Sequence, residues 1–393
     1  MRNRMKLLHL SDLHIGKRVN EFSMLEDQKY ILQQIIEIAD IEQVDGLILA
    51  GDIYDKPVPP TEAVQIFDQF LTKLAQRNRK IFIISGNHDS AERIAFGAKL
   101  MNSKGVYVSP VYNGNIEPIA LKDEYGEIFI YLLPFIKPAV IHHVFPQEDC
   151  ESYEDAARIA ISHMKVNTEK RNILVAHQLV TGADRCDSEE ILIGGLDNIN
   201  SCVFETFDYV ALGHIHSPQS ITKETIRYCG TPLKYSFSEA GQKKSVTVLE
   251  FFEKENIQIR TIPLYPLRDM CKIKGTYLEV TNLNFYKDLN REDYVQITLT
   301  DEEDIPDGIK KLRVIYPNCL KSISVFSAYG PNALITSFSG FTLTPFLTDL
   351  SPVLILSKIL SVVHSSPDYF VIQKTLLSIP IPIFFLLVLL QLE

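Results

Sequence analysis

The sequence predicts an α/β layered core followed by a small α+β domain. Three observations point there. Short apolar runs of strand length alternate with helically spaced segments through the first part of the chain. Five of those runs end in short motifs of Asp, His, Asn and Gly. Beyond about Gly241 the alternation gives way to paired strand-like stretches. In order, Lys6–Leu10 is a short apolar run, and Glu26–Ile41 carries Ile31, Ile35, Ile38 and Ala39 at helical spacing. Gly46–Ala50 is a buried strand. Thr61–Gln76 follows two prolines and sets Val64, Phe67, Phe70, Leu71 and Leu74 on one helical face. Lys80–Ile84 is a strand, Ser152 with Asp155 opens a helix over Ala156–Val166, and Asn172–Ala176 and Tyr209–Leu212 are two further strands. Ser245–Phe252 and Ile257–Ile262 read as a pair. Thr276–Val280 and Tyr294–Leu299 bracket a short charged segment and mark the small α+β domain.

The composition, 46% hydrophobic and 22% charged, is that of a water-soluble chain able to fill more than one core. A net charge of -10 argues against a surface coated with nucleic acid, but leaves room for a local basic groove or for an acidic site offset by cations. None of the cysteines, at 150, 186, 202, 229, 271 and 319, forms a C-x-x-C pair, and no signal-like segment precedes the first strand. Reduced thiols in a cytoplasmic protein are expected. From about Leu320 charged residues become scarce and Ser, Leu, Phe, Ile and Pro dominate. The expected division is 1–270 for the main domain, 271–320 for the start of a capping domain, and 321–393 for an atypical hydrophobic tail. A frameshift near Asn318–Leu320 accounts for the abrupt switch. Leu376–Leu392 resembles a membrane segment but holds two prolines and is at the short limit for spanning, so no membrane association is expected.

The motifs are Asp12-Leu13-His14, Gly51-Asp52, Gly86-Asn87-His88-Asp89, His177-Gln178 and Gly213-His214-Ile215-His216. Parallel strands deliver the residues at their carboxyl ends to one edge of a sheet, so motifs distant in sequence can converge. Residues i and i+2 of an extended segment face one side, which pairs Asp12 with His14 and His214 with His216. His, Asp and Asn form a hard-to-borderline donor set suited to Mn²⁺, Fe or Zn²⁺. Such a set suits phosphodiester hydrolysis, which needs an activated water and charge stabilisation on the phosphoryl oxygens. Two metal ions roughly 3.5–4 Å apart supply both. A single carboxylate bridging them is the natural arrangement, and Asp52, behind a glycine that lets the chain turn off its strand, is the candidate.

Taken singly, each motif is more simply a turn, a cap or a packed histidine. In order, D-x-H, G-D, G-N-H-D, H and G-H-x-H resemble the signature of the calcineurin-like metallophosphoesterases. Gly194-Gly195, Phe207–His214, Pro218-Gln219, Gly230-Thr231-Pro232-Leu233 and Ser236-Phe237-Ser238-Glu239 extend the likeness to the SbcD branch, over about residues 5 to 320. The resemblance implies an αββα sandwich with a small α+β capping domain. It implies two divalent ions, Mn²⁺ in this branch, one held by Asp12, His14, Asp52 and His216 and the other by Asp52, Asn87, His177 and His214. It implies that His88 sits beside the scissile phosphate as the catalytic group and that Asp89 supports it from behind. It also implies 3′–5′ exonuclease action on duplex DNA and endonuclease action on single strands. The partner would be an SbcC-like, SMC-type ATPase subunit, with two copies of this chain in a heterotetramer. Eukaryotic and archaeal relatives place a histidine three residues after the bridging aspartate; Asp55 stands here, as in the bacterial branch, and is given no catalytic role.

His9, His142, His143, His163 and His364 read as packing or surface residues. Arg93 is balanced between a phosphate clamp and a helix-surface ion pair. The acidic run Asp301–Asp304 lacks a histidine partner and reads as a solvated loop.

Overall fold

Leu47, Leu49, Ile81 and Ile83 point to one side of their strands, and Ile48, Ala50, Phe82 and Ile84 to the other, and both sets are buried. A strand apolar on both faces needs a layer on each side. The computed structural model, which describes residues 4–189 and 197–324, supplies both layers. One six-stranded sheet runs in the order Ile257–Pro263, Ser245–Phe251, Met5–Leu10, Gly46–Ala50, Lys80–Ile84, Val106–Val108. A second runs Gln219–Ile221, Lys223–Tyr228, Tyr209–Gly213, Arg171–His177, Gly126–Leu132, Ile119–Asp123. Their inner faces share a core in which Leu7, Ile48 and Phe82 join Ile130, Ile173 and Ala211. Helices Leu25–Glu42 and Thr61–Ala75 cover the outside of the first sheet. Helix Tyr153–His163, opened by the expected Ser152/Asp155 capping box, covers the outside of the second. The result is the four-layer αββα sandwich.

The strands that carry the motifs are parallel neighbours within their sheets. Met5–Leu10, Gly46–Ala50 and Lys80–Ile84 pair in parallel, and so do Arg171–His177 and Tyr209–Gly213, with Gly213 in register with His177. All five motifs therefore emerge at carboxyl ends, and the two sheets bring those ends together.

Several elements escaped the sequence pattern. The edge strands Val106–Val108, Ile119–Asp123, Gln219–Ile221 and Lys223–Tyr228 are short or partly exposed, so little periodicity marks them. Val64, expected on the buried side of its helix, is 43% exposed; the buried stripe is Ala63, Phe67, Phe70 and Leu74, one position round.

The small domain is a parallel sheet of Met270–Gly275, Tyr294–Leu299 and Cys319–Ser324 with helices Tyr277–Val280, Leu283–Tyr286 and Gly308–Ile315. It has its own core, in which Val295, Ile297, Leu312 and Tyr316 meet. The expected boundary at residue 320 falls inside its third strand. Tyr294 Oη and Arg268 both donate to Asp27 at 2.8 Å, which ties this domain to the first helix of the sandwich. Residues 325–393, with the expected tail and its apolar end, and Gly194-Gly195 lie outside the described residues. Among the described residues no helix is long and apolar enough to cross a membrane.

Candidate two-metal site

The motif side chains meet where the two sheets touch. His177 Nδ1 donates to the Ala50 carbonyl at 2.8 Å, which fixes its proton and turns Nε2 into the site. This close approach explains two glycines: a Cβ on Gly213 would lie 1.9 Å from the Ala50 carbonyl oxygen, and one on Gly86 would lie 2.1 Å from Asp52 Oδ1. Four of the site residues hold left-handed backbone without being glycine: Asp12 (φ 52°), His14 (43°), Asp52 (49°) and His214 (100°). Such conformations cost about 1–3 kcal/mol each and persist only where surrounding contacts hold them. Here Asp12 N donates to the Gly51 carbonyl and His14 N to the Asp52 carbonyl, so the two loops brace each other.

All the sequence-predicted donors converge. His14 Nε2 lies 3.1 Å from His216 Nε2, and both group with Asp12. His177 Nε2 and His214 Nδ1 lie 3.0 and 2.9 Å from Asn87 Oδ1. Between these halves stands Asp52. Its Oδ2 is 3.3 Å from His177 Nε2 and 3.6 Å from His14 Nε2, and its Oδ1 accepts from His88 N at 2.9 Å. Asp12 Oδ1 accepts from His214 N at 3.0 Å, a link across the sheets.

The electrostatics fit a site built for cations. Burial drives His14, His214 and His216 toward the neutral, ligating form, His214 to about 3. Burial also pushes the Asp12 carboxyl up, to about 7, with the Asp52 charge adding to it. Burial opposes charge on His177 too, yet Asp52 beside it raises its pKa to about 9. Two buried carboxylates, the buried imidazoles of His14, His177 and His216, and the partly buried His214 converge in a donor set that suits a divalent ion.

His88 stands at the rim. Its Nδ1 is 3.1 Å from the Asp55 carbonyl, so that nitrogen carries the proton, and Nε2 faces Asp52 Oδ2 at 3.9 Å. Asp89 sits directly behind this loop. Its carboxylate accepts from Gly86 N, Ile53 N and Tyr54 N at 2.9–3.0 Å, so it pins the loop after Asp52, and the Asp55 carbonyl meets the His88 ring. The Asp55 side chain pairs with Lys17 at 2.9 Å.

Sequence reasoning missed the groups behind His14 and His216. Gln28 donates to the His14 carbonyl at 2.7 Å and Tyr235 to the Leu13 carbonyl at 2.6 Å. Ser188 Oγ lies 2.6 Å from His216 Nδ1, and Glu239, wholly buried, lies behind Ser188. The only signal for these was the Ser236–Glu239 stretch, which carried a likeness but no chemistry. Four of the histidines set aside stay outside the site: His9 contacts Tyr209 Oη at 3.0 Å, His163 stacks on Phe145, and His142 and His143 are exposed; His364 lies outside the described residues. Arg93 is exposed on the short helix Ala91–Ile94.

The calcineurin-like phosphoesterase family model matches residues 5–218. A model described as the type 5 capsule protein repressor C-terminal domain, SbcD_C, matches residues 266–333. The SbcD subunit of the nuclease SbcCD from Staphylococcus epidermidis is 34% identical over 332 residues, 84% of this chain and 87% of that protein. Its namesake from Staphylococcus saprophyticus is 34% identical over 320 residues, 80% of this chain and 84% of that one. A solved structure from Thermus thermophilus aligns over 66% of this chain and 99% of its own at 11% identity, with a TM-score of 0.38. The chain belongs to the calcineurin-like phosphoesterases, metal-dependent hydrolases of phosphoesters, and within them to the SbcD family of nuclease subunits.

Proposed function

We propose that this chain is a Mn²⁺-dependent DNA nuclease, cutting duplex ends 3′–5′ and single strands and hairpins internally, that works with an SbcC-like, SMC-type ATPase in DNA recombination, replication and repair. The observation that carries the reading is Asp52, whose one oxygen faces the imidazoles of both half-sites. Asp12, His14, Asp52 and His216 would hold one ion; Asp52, Asn87, His177 and His214 would hold the other. When bound, the ions supply Lewis acidity, which activates water and offsets charge on the phosphoryl oxygens. The chain's own part is to hold the donors and to place His88. With Nδ1 engaged by the Asp55 carbonyl, His88 presents Nε2 toward the scissile phosphate. As the imidazolium, with a second proton on Nε2, it would steady the phosphoryl charge or deliver that proton to the leaving oxygen. Residues 1–270 form the nuclease domain in this reading, and the domain that follows forms one wall of the DNA path. The protein acts in the cytoplasm, as a homodimer within a heterotetramer.

The test is digestion of labelled duplex ends and hairpins by the full chain co-expressed with the ATPase, with Mn²⁺ and with chelator. A second reading is a phosphoesterase for a small phosphodiester. Turnover of bis-p-nitrophenyl phosphate without any cutting of DNA would select it.

A further inference from the structure

We infer that Ser188, Glu239 and Lys244 form a relay that locks the His216 ring in the one tautomer that turns a lone pair on Nε2 toward the metal site. The inference rests on the reading of His216 as a metal ligand and adds residues that reading does not contain.

The argument is a count of protons. Lys244 Nζ lies 2.6 Å from Glu239 Oε2, and both side chains are almost wholly buried, at 4% and 0% exposure. A lysine so buried needs an anion, and Glu239 is that anion. Glu239 Oε1 accepts from Tyr235 N at 3.2 Å, a donor that can do nothing else. The same oxygen lies 2.6 Å from Ser188 Oγ. Ser188 has one hydroxyl proton, and a carboxylate can only receive it. The Ser188 oxygen, 2.6 Å from His216 Nδ1, is then left as an acceptor, so His216 Nδ1 carries the ring proton. His216 Nε2 is thereby bare, and it is the nitrogen that faces His14 Nε2 at 3.1 Å and groups with Asp12.

The same ion pair holds the rest of His216. Lys244 Nζ donates to the His216 carbonyl at 2.8 Å, and His216 N donates to Glu189 Oε1 at 2.8 Å. Asp187 N donates to Ser238 Oγ at 3.0 Å, which moors the Ser188 loop to the stretch bearing Glu239. A purely structural Lys–Glu pair would need none of this: Tyr235 N and Thr231 already satisfy Glu239. Ser188, wedged between the carboxylate and the ring, is what turns the pair into an orienting device. A carboxylate acting through a hydroxyl on the far nitrogen of a ligating imidazole fixes the ring and raises its basicity. Ser188 and Glu239 are positioning residues, since both act through His216 and neither belongs to the proposed donor set.

Two measurements on the full chain test this. In metal-free protein with ¹⁵N-labelled histidine, the His216 ring should show a protonated Nδ1 and an unprotonated Nε2. The reverse tautomer in the wild type overturns the relay without recourse to any variant. In Mn²⁺ titrations followed by calorimetry, Ser188→Ala should weaken one of two binding steps about 10–100-fold and leave the other near wild type. Ser188→Thr, which keeps the hydroxyl, should restore it. Wild-type binding of both ions by Ser188→Ala, in a titration where His216→Ala loses one, overturns the relay and spares the metal site. Wild-type binding by His216→Ala overturns the ligand assignment, and the relay with it.

Discussion

At Asp52 one carboxylate oxygen lies within 3.9 Å of three imidazoles, those of His177, His14 and His88. Asn at that position keeps the shape and removes the charge, so both half-sites lose the same donor. Asp52→Asn should therefore deplete both ions together, as read by metal content per chain after dialysis. One ion retained at full occupancy would sink the bridging role. His88 makes the opposite case. It is held from behind by a backbone carbonyl and is not itself one of the proposed donors. His88→Ala should keep its metal content and lose about 10²–10⁴ in cleavage rate, measured on a labelled duplex. Loss of metal, or cutting at the normal rate, would remove His88 from the phosphate. These donors were legible in the sequence because each sits at a strand end, in a motif whose residue types have few other uses together. Ser188 and Glu239 were not, since a serine in a loop and a glutamate beside a short helix have many. Their partnership exists only once residues 188, 216, 239 and 244 are brought together in space.

The elements that carry the site were read well where burial on both faces gives an unbroken apolar run, as in Gly46–Ala50 and Tyr209–Gly213. They were missed where an edge strand is half exposed, as in Lys223–Tyr228, because alternation over so few residues looks like loop. The first strand carries one feature that periodicity cannot show. His9 faces the interior, wholly buried, with Nδ1 on Tyr209 Oη. Burial, with the Arg227 charge adding to it, lowers its pKa from 6.5 to about 3. The native state thus resists a proton that the unfolded chain accepts below about 6.5. Stability linked to His9 is complete above that pH and is lost progressively as pH falls toward 3, by up to about 1.4 kcal/mol per pH unit. Urea unfolding in chelator at pH 7 and pH 5 should show a smaller pH effect in His9→Asn than in the wild type. Equal pH effects would mean that His9 plays no part in acid sensitivity. The sheet contact offers a sharper test of local structure. Gly213→Ala places a methyl 1.9 Å from the Ala50 carbonyl oxygen, and neither backbone can retreat without parting the sheets. The variant should melt several degrees lower and bind metal more weakly. A melting point and metal content unchanged from the wild type would show that the sheets can part there at no cost.

At the scale of the whole molecule the chain carries a net charge of -10, an awkward property for a protein proposed to hold DNA. The distribution of charge resolves the difficulty. A cleft of about 480 Å³ opens where the small domain meets the sandwich, lined by Lys17, Arg18, Tyr235, Lys272, Gln296 and Lys321 among others, with Asp187 the one acidic residue among its described lining. Ser188 and Tyr235, on the walls of the same cleft, touch the site through His216 and His14. Lys17 is spent on Asp55, but Lys272 and Lys321 are exposed, in register on either side of Gln296 on one face of the small domain's sheet. In the proposed reading they would meet the phosphates of a strand entering the site. Each phosphate contact releases condensed counterions, so log K falls with log[salt] by about 0.9 per contact on duplex and about 0.7 on single strands. Lys272→Glu with Lys321→Glu should therefore weaken DNA binding at low salt and flatten that slope by roughly 1.4–1.8, with metal content unchanged. The slope is the decisive quantity, because a folding defect would lower the active fraction at every salt concentration and leave the slope alone. Wild-type affinity and slope together would place the DNA path outside this cleft and remove the small domain from substrate binding.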